Sequence, residues 1–565
     1  NAMTEKQALP RLTGGILKEY YEKLRENFYT GIDVDAHVKT YEGVHDGGYA
    51  EPEFTGKFID VCTRYWDADG DARALDMAGR VVESILRNQR ADGYLGCLEP
   101  GSETHAFSVW NQAFTMLGLI RYERATGDER ALEAATKCAH GLHALFLGEN
   151  APDLLDAGNQ GSQHISMLYP LALLYERTGD RKTRELIEKI IARCEDSDMN
   201  LLSFDSILTL RSQKGIEMLV VYLGVLEYGR AFDCPQAVEA ARRYWREVND
   251  TQIRNTGNGT IGEFWREGGN EPCFLPAEVR PNENCVAVGF VELALALFWQ
   301  DGDAVYLDAI EKTLFNHILG SVSRDGGDFA YYQPNFGRKV FRTAGGMYQC
   351  CRYRGYTLFS CLRALLYRRA GDELTPVIYA ASEYAGDGLT LSQATDYPAG
   401  GRIEFQAQAA RPMTLRLRIP ACADGYRLTV NGEAAQIEAE EGFVKVPVSG
   451  ETKVCLELDL RPHARRVEIR DRVWKNLFNG QDYPSGAEGG FPAGTYAEFT
   501  CGPLLLAADG AWGNDIHQAV RSLEMRELPA RDGALRRFEA DGVQLVDYAS
   551  AGAQGEEYTV FVPVR

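Results

Sequence analysis

Positive charge is what this sequence lacks: 60 Lys and Arg stand against 81 Asp and Glu, a formal net charge of −21. Phosphate recognition needs clustered Lys/Arg, so the balance argues against a nucleic-acid partner. It favours solubility and a small or neutral ligand. Also absent is any apolar run of the ~18 residues a spanning helix requires, so no membrane partner is expected. Asn1-Ala2 reads as an expression remnant, and Thr-Glu-Lys-Gln-Ala-Leu-Pro after Met3 has neither a basic nor an apolar leader region. A cytoplasmic location is therefore expected. The thirteen Cys are odd in number and lack the short spacings of a disulfide framework, so they are read as reduced.

What is present is a long chain of ordinary globular composition. Its 565 residues are 45% hydrophobic and 25% charged, enough for two or more domains. The first two-thirds read as helices with a recurring punctuation: Gly70-Asp71, Gly127-Asp128, Gly179-Asp180 and Gly302-Asp303. Gly suits the left-handed position just past one helix, and Asp suits the N-terminus of the next. Amphipathic runs follow each marker, as in Leu75, Ala78, Val82 and Leu86, with apolar residues on one helical face. Asp233-Cys234-Pro235 occupies the same slot in another pair. About twelve helices, hence about six hairpins, precede Arg369, and the spacing signals a repeat architecture. Six hairpins close as an (α/α)6 barrel or stack as an open solenoid. The long Gly-rich loops, such as 255–282, favour the barrel, because loops of that length usually carry function.

Past Gly371-Asp372 the pattern changes to period two, as in Leu389-Thr-Leu-Ser-Gln and Lys453-Val-Cys-Leu-Glu-Leu-Asp-Leu460. Asn431-Gly432 is a hairpin signal. The expected organisation is a barrel domain over residues 3–371 and a β-sandwich region over 372–565, the latter supporting the barrel. Residues 474–495, rich in Gly and Pro, read as a long loop.

Two stretches carry chemistry. Cys350-Cys351 and Glu283-Asn284-Cys285 supply three thiols and a carboxylate, a donor set that suits Zn²⁺. Cysteine equally often packs as a small apolar side chain, and spacing alone does not decide between the two. The loop Gly262-Glu263-Phe264-Trp265-Arg266-Glu267 offers glycine for close backbone approach, Trp265 as a sugar-stacking face, and Glu263 or Glu267 as a proton donor. Tyr94, His105, His164, Tyr331 and Tyr332 are further pocket candidates, core packing being the simpler role for the tyrosines.

These elements, with Glu53-Phe54-Thr-Gly-Lys57, Gln89-Arg-Ala-Asp-Gly-Tyr-Leu-Gly96, Gly118-Leu-Ile-Arg-Tyr122, Asp325–Tyr332, Leu415–Pro420 and Gly502-Pro-Leu-Leu505, occur in one order. In that order the chain resembles the glycoside hydrolase family 127 β-L-arabinofuranosidases over nearly its whole length. The resemblance implies an (α/α)6 barrel with β-sandwich domains and a zinc ion at the barrel mouth held by Glu283, Cys285, Cys350 and Cys351. It also implies a retaining exo-glycosidase in which Cys350 is the nucleophile and Glu263 the acid/base, with Glu267 as the alternative. Asn111 and Gln163-His164 fall near the family's substrate-binding histidines. Arg352 and Arg354, where the family has smaller residues, read either as carboxylate-binding, which would make the sugar acidic, or as surface or ion-pair residues. Tyr332 and Trp265 complete the expected substrate-binding set.

The expected partner is a short oligosaccharide or glycoside, and homodimer formation is left open. Two other readings are an unsaturated-uronyl hydrolase with carboxylate chemistry and no zinc, and a non-catalytic carbohydrate-binding protein with a structural zinc.

Overall fold

The computed structural model describes residues 10–46, 51–105, 107–342, 348–386, 388–475, 480–484 and 490–565. The first seven positions of the expected barrel domain, 3–9, lie outside the described residues, as do Asn1 and Ala2. The helices, in chain order, begin with α1 (Gly15–Gly31), α2 (Val34–Lys39), α3 (Glu51–Asp69) and α4 (Ala72–Asn88). Next come α5 (Ser108–Thr126), α6 (Glu129–Leu147), α7 (Ser162–Ile165), α8 (Leu168–Thr178) and α9 (Arg181–Glu195). Then come α10 (Gly215–Ala231), α11 (Pro235–Thr251), α12 (Asn284–Asp301), α13 (Ala304–Lys312), α14 (Tyr348–Ser360) and a short α15 (Leu362–Leu366).

Six of these, α3, α5, α8, α10, α12 and α14, form a ring in which each packs on the next and α14 returns to α3. That closure makes the helical part an (α/α)6 barrel. Helices α5, α10 and α12 are buried on nearly every side, as expected for helices hydrophobic all round. The outer helices α4 and α11 bury one stripe only. The pairing is offset from a simple count of hairpins: α1 packs on α14, so the first helix completes the last hairpin. A side-chain-free crossing brings α3 and α5 together. A Cβ at Gly56 would collide with the Phe114 carbonyl, and one at Gly118 would lie 2.8 Å from the Gly56 carbonyl oxygen.

The sequence markers act as expected. Gly70, Gly127, Gly179 and Gly302 have φ of 65–77°. Asp71, Asp128, Asp180 and Asp303 each accept a backbone N–H of the next helix. Such a cap stabilises a helix by about 1 kcal/mol.

The β region holds two nine-stranded sheets among the described residues. The first runs Arg11–Leu12, Ser382–Gly386, Leu389–Thr395, Arg402–Arg418, Phe443–Leu458, Tyr426–Val430 and Glu433–Ala434, with two further strands at Tyr367–Ala370 and Glu373–Pro376. The second is built on Pro462–Ile469, Gly494–Cys501, Leu504–Asp509 and Val543–Asp547. Alternation of exposed and buried residues along Arg402–Arg418 matches the period-two reading. Asn431 and Gly432, both at positive φ, close the hairpin whose Val430 pairs with Glu433.

The sheets do not respect a cut at residue 371. Arg11–Leu12 pairs with Ser382–Glu383, and Phe336–Gly337 pairs with Tyr558–Thr559. Residues 474–495 are not wholly loop either, because Val473–Lys475 pairs with Asp482–Pro484. This ribbon presses Trp474 onto Ile261, Leu275 and Val279, and Asn255 donates to Glu498. The β region thereby braces the long loop between α11 and α12.

Helix α12 is the one described helix long and apolar enough to cross a bilayer by composition, and it is an inner helix of the barrel.

Candidate active site

The long loop and the start of α12 are interlocked. Glu263 sits at φ 69°, a left-handed conformation uncommon for a residue with a Cβ. Its carbonyl accepts the N–H of Gly215 at the head of α10 (2.8 Å), and Gly262 N–H donates to Val279 (2.8 Å). Asn258 donates to the Glu283 carbonyl (2.7 Å), and Thr260 Oγ1 accepts the Glu283 N–H (3.2 Å). Asn282 and Arg280 also occupy positive φ, so the chain turns sharply just before Glu283. The outcome is a fixed pair: Glu263 on the loop and Glu283 at the N-cap of α12.

Cys285 follows in the first turn of α12, and α14 brings Cys350 and Cys351 alongside. The Cys285 sulfur lies 3.1 Å from that of Cys350 and 3.2 Å from that of Cys351. Cys351 Sγ is 4.0 Å from Glu283 Oε1. Glu283, Cys285 and Cys350 each present a ligand atom within 4.8 Å of one another. Asn284 ties the two helices by donating to the Cys351 carbonyl (3.2 Å).

As a donor set these four residues fit zinc. Glu283 Oε2 is buried with no hydrogen-bond partner. Mutual hydrogen bonding to Cys285, then burial, raises the Cys350 thiol, and burial raises Cys285; burial pushes Cys351 up to about 12. Burial, then Glu263, pushes Glu283 up to about 8. Four acids crowded out of water hold their protons unless a cation neutralises them. The Cys285 sulfur stands nearer its two partners, at 3.1 and 3.2 Å, than the roughly 3.8 Å that two tetrahedral Zn–S bonds of about 2.3 Å would set.

Beside this cluster lies a cavity of about 510 Å³ lined by Cys350, Glu283, Glu263, Glu217, Lys214 and Glu53 on its polar side and by Phe54, Phe107, Trp110 and Ile216 on its apolar side. Lys214 and Tyr332 donate to the two oxygens of Glu263. Lys57 donates to Glu53 and to the Cys350 sulfur (3.1 Å from the latter). The site thus combines a thiol at a metal-type cluster, a carboxylate held by two donors, and an aromatic wall suited to a sugar face.

Several expected residues are placed elsewhere. Trp265 is buried, and its indole N–H donates to Tyr244 (2.8 Å), so it presents no stacking face; Trp110 and Phe107 line the cavity instead. Glu267 is exposed on the loop and does not line the cavity, which removes it as the alternative acid/base. Arg352 donates to the Gly31 carbonyl (3.0 Å), and Arg354 pairs with Glu292 (2.5 Å). Both arginines are buried structural ties, and the carboxylate-reading role does not hold. His164 is buried against the Phe146 ring, and Asn111 is buried on α5; neither lines the cavity. Gln163 and Tyr331 do line it, and Tyr332 reaches Glu263. Tyr94 bonds Ser108, and His105 is exposed.

Lys214, Glu217 and Trp110 were not anticipated. The one usable signal was Lys57: an i, i+4 partner for Glu53 in a helix otherwise buried must be neutralising something inside.

Comparison with known proteins agrees with this geometry. The chain matches the model of the β-L-arabinofuranosidase GH127 catalytic domain over residues 6–361 and that of the GH127 middle domain over residues 374–461. It is similar to a non-reducing end β-L-arabinofuranosidase of Bifidobacterium longum, 27% identical, the match covering 72% of this chain and 70% of the relative. Among solved structures it resembles a GH127 β-L-arabinofuranosidase of Geobacillus stearothermophilus T6 (TM-score 0.76, 17% identical, 98% and 100% of the two chains covered). A second GH127 β-arabinofuranosidase superposes with TM-score 0.77 at 19% identity, covering 99% and 98%.

Proposed function

The chain belongs to the GH127 β-L-arabinofuranosidase family and is a glycoside hydrolase, and from that premise we propose a zinc-dependent retaining exo-glycosidase that releases β-L-arabinofuranosyl units from short oligosaccharides. The observation that carries the reading is the meeting of three thiols and Glu283 beside a cavity that Cys350, Glu283 and Glu263 line.

Glu283, Cys285, Cys350 and Cys351 would hold the ion. Bound zinc would keep the sulfurs deprotonated and lower their charge density, making the Cys350 sulfur both a nucleophile and a serviceable leaving group. In the first half-reaction Cys350 Sγ attacks the anomeric carbon while Glu263 gives its proton to the departing oxygen. The C–O bond breaks and a C–S bond forms. In the second, Glu263 takes a proton from water, the water oxygen bonds the anomeric carbon, and the C–S electron pair returns to sulfur. This is the acid-to-base alternation of retaining glycosidases with sulfur in place of the usual carboxylate. Lys214 and Tyr332 orient the Glu263 carboxyl through both half-reactions. Phe54, Phe107 and Trp110 exclude water and seat the sugar.

The test pairs metal analysis with kinetics on 4-nitrophenyl β-L-arabinofuranoside. Protein purified without added metal is expected to carry one zinc per chain and to hydrolyse this substrate. Cys350→Ser is expected to retain most of the metal and lose hydrolysis by at least about 10³-fold. Metal-free active protein, or an active Cys350→Ser, would sink the reading.

A further inference from the structure

Glu217 lies in the same cavity and has no part in the steps above. It stands in the first turn of α10, its side chain 2% exposed, yet it lines the cavity. Its two oxygens are each fixed by one protein donor: Asn159 Nδ2 at 2.6 Å on Oε1, and Ser162 Oγ on Oε2. Ser212 in turn donates to Ser162 (3.2 Å). Asn159 and Gln160 both stand at positive φ in the turn that carries this support. The carboxyl is therefore held in one orientation by the loop before α7.

A carboxylate has about four acceptor positions. Two are used by Asn159 and Ser162, leaving one on each oxygen. Burial holds the Glu217 carboxyl up at about 7, against Lys214, Ser162 and Asn159, which lower it. Among the described lining residues Lys214 is the one cation, and Glu263 already engages its ammonium. The remaining charged liners are acids: Glu53, Asp156, Glu263 and Glu283. Sugar hydroxyls are the donors that fit such a wall, and a sugar carboxylate is what it repels.

We propose that Glu217 is a specificity-determining residue that accepts hydrogen bonds from two hydroxyls of the bound sugar, so that the cavity selects neutral, multiply hydroxylated sugars and rejects uronic acids. The inference rests on the glycosidase reading, whose cavity it uses, but it can fail or stand separately.

A site built to bond a hydroxyl discriminates strongly against an analogue lacking it, because its own polar group is left unpaired. Wild type, Glu217→Gln and Glu217→Ala should be compared on 4-nitrophenyl β-L-arabinofuranoside and on its 2-deoxy and 3-deoxy analogues, with zinc content and melting temperature measured alongside. Wild type is expected to favour the parent over at least one deoxy analogue by about 10²-fold or more in kcat/KM. Glu217→Ala should reduce that preference at least tenfold with zinc retained, chiefly by raising KM for the parent, and Glu217→Gln, which keeps one acceptor, should fall between. An unchanged preference, whatever happens to overall rate or stability, overturns the proposal, because a purely structural Glu217 would slow every substrate alike.

If wild type hydrolyses no arabinofuranoside, the glycosidase reading fails, and calorimetric titration with neutral monosaccharides and their uronic counterparts decides the inference alone. Binding of a neutral sugar that weakens at least tenfold in Glu217→Ala supports it. No neutral sugar bound by wild type, or a uronate bound more tightly than its neutral counterpart, overturns it.

Discussion

Lys57 donates to Glu53 on its own helix and to the sulfur of Cys350 on α14, the latter at 3.1 Å. One buried ammonium therefore joins the wall of the barrel to the proposed nucleophile. It also lies 4.6 Å from the Phe114 ring centre. Coulombic attraction to Cys350 and Glu53 outweighs burial and holds Lys57 charged.

Removing that cation leaves Glu53 buried and unpaired, which typically costs about 3–5 kcal/mol. Lys57→Met is expected to lower stability by that order in urea denaturation and to reduce kcat by at least tenfold. The double variant Glu53→Gln/Lys57→Met should recover most of the stability and little of the activity. Full recovery of both would mean that the pair serves packing alone.

Arg354 and Glu292 form a second tie one helical turn below the thiols. Arg354 on α14 donates to Glu292 on α12 at 2.5 Å, and Arg64 on α3 reaches the other Glu292 oxygen at 3.2 Å. Because α12 carries Cys285 and α14 carries Cys350 and Cys351, this tie sets the register of the sulfur ligands. Glu292→Gln is expected to weaken zinc retention at least tenfold in competition with a chromophoric chelator. Unchanged affinity would show that the Asn284–Cys351 bond suffices.

Tyr332 donates to Glu263 and shares no bond with the thiols. Tyr332→Phe is expected to lower kcat about tenfold, with KM changed less than threefold and zinc content intact. A rise in KM without loss of kcat would instead place Tyr332 on the substrate.

Acid should loosen the mouth of the barrel through histidine. Burial, with Arg352 adding to it, lowers His37 to about 4, and burial with Lys339 lowers His317 to about 3. His37 bonds Thr55 (2.9 Å) and the Tyr353 hydroxyl (2.5 Å), tying α2 to α3 and α14. A histidine whose folded pKa is depressed contributes stability above its unfolded value near 6.5, and that stability is lost as pH falls through the folded value. His37 alone should account for about 3 kcal/mol between pH 6.5 and 4, at about 1.4 kcal/mol per pKa unit. Urea midpoints across that range should fall more steeply for wild type than for His37→Gln. Parallel slopes would contradict the assignment.

Much of the fold was readable because it rests on local rules. A Gly at positive φ followed by a capping Asp is chosen by the backbone within a few residues, so the helix ends at 70–71, 127–128, 179–180 and 302–303 were legible. The same holds for the Asn431-Gly432 hairpin. Residues 474–495 were misread because a short ribbon with Gly and Pro around it has almost no period to detect. Its strands exist because Trp474 is buried against the long loop of the barrel.

The sulfur cluster was legible for a different reason: Cys350-Cys351 and Glu283-x-Cys285 put rare donors at adjacent positions, and their order matched a family. The pocket wall was not. Whether a side chain points into a cavity or into the core depends on which neighbour it meets, and Trp265, Arg352 and Arg354 met Tyr244, Gly31 and Glu292. Glu217 was invisible in the reverse sense, an acid in an apolar helix start with nothing local to mark it.

By itself the sequence determined the helical repeat, the change to strands after residue 371, and the donor set of thiols and carboxylate, since each follows from backbone preference or ligand chemistry within short stretches. Only the tertiary structure decided that the ring closes through α14 onto α3, which groups face the cavity, and that its charged wall, among the described residues, is built of acids with a single paired lysine. Those outcomes depend on helices far apart in the chain burying their faces against one another, and no local stretch carries that information.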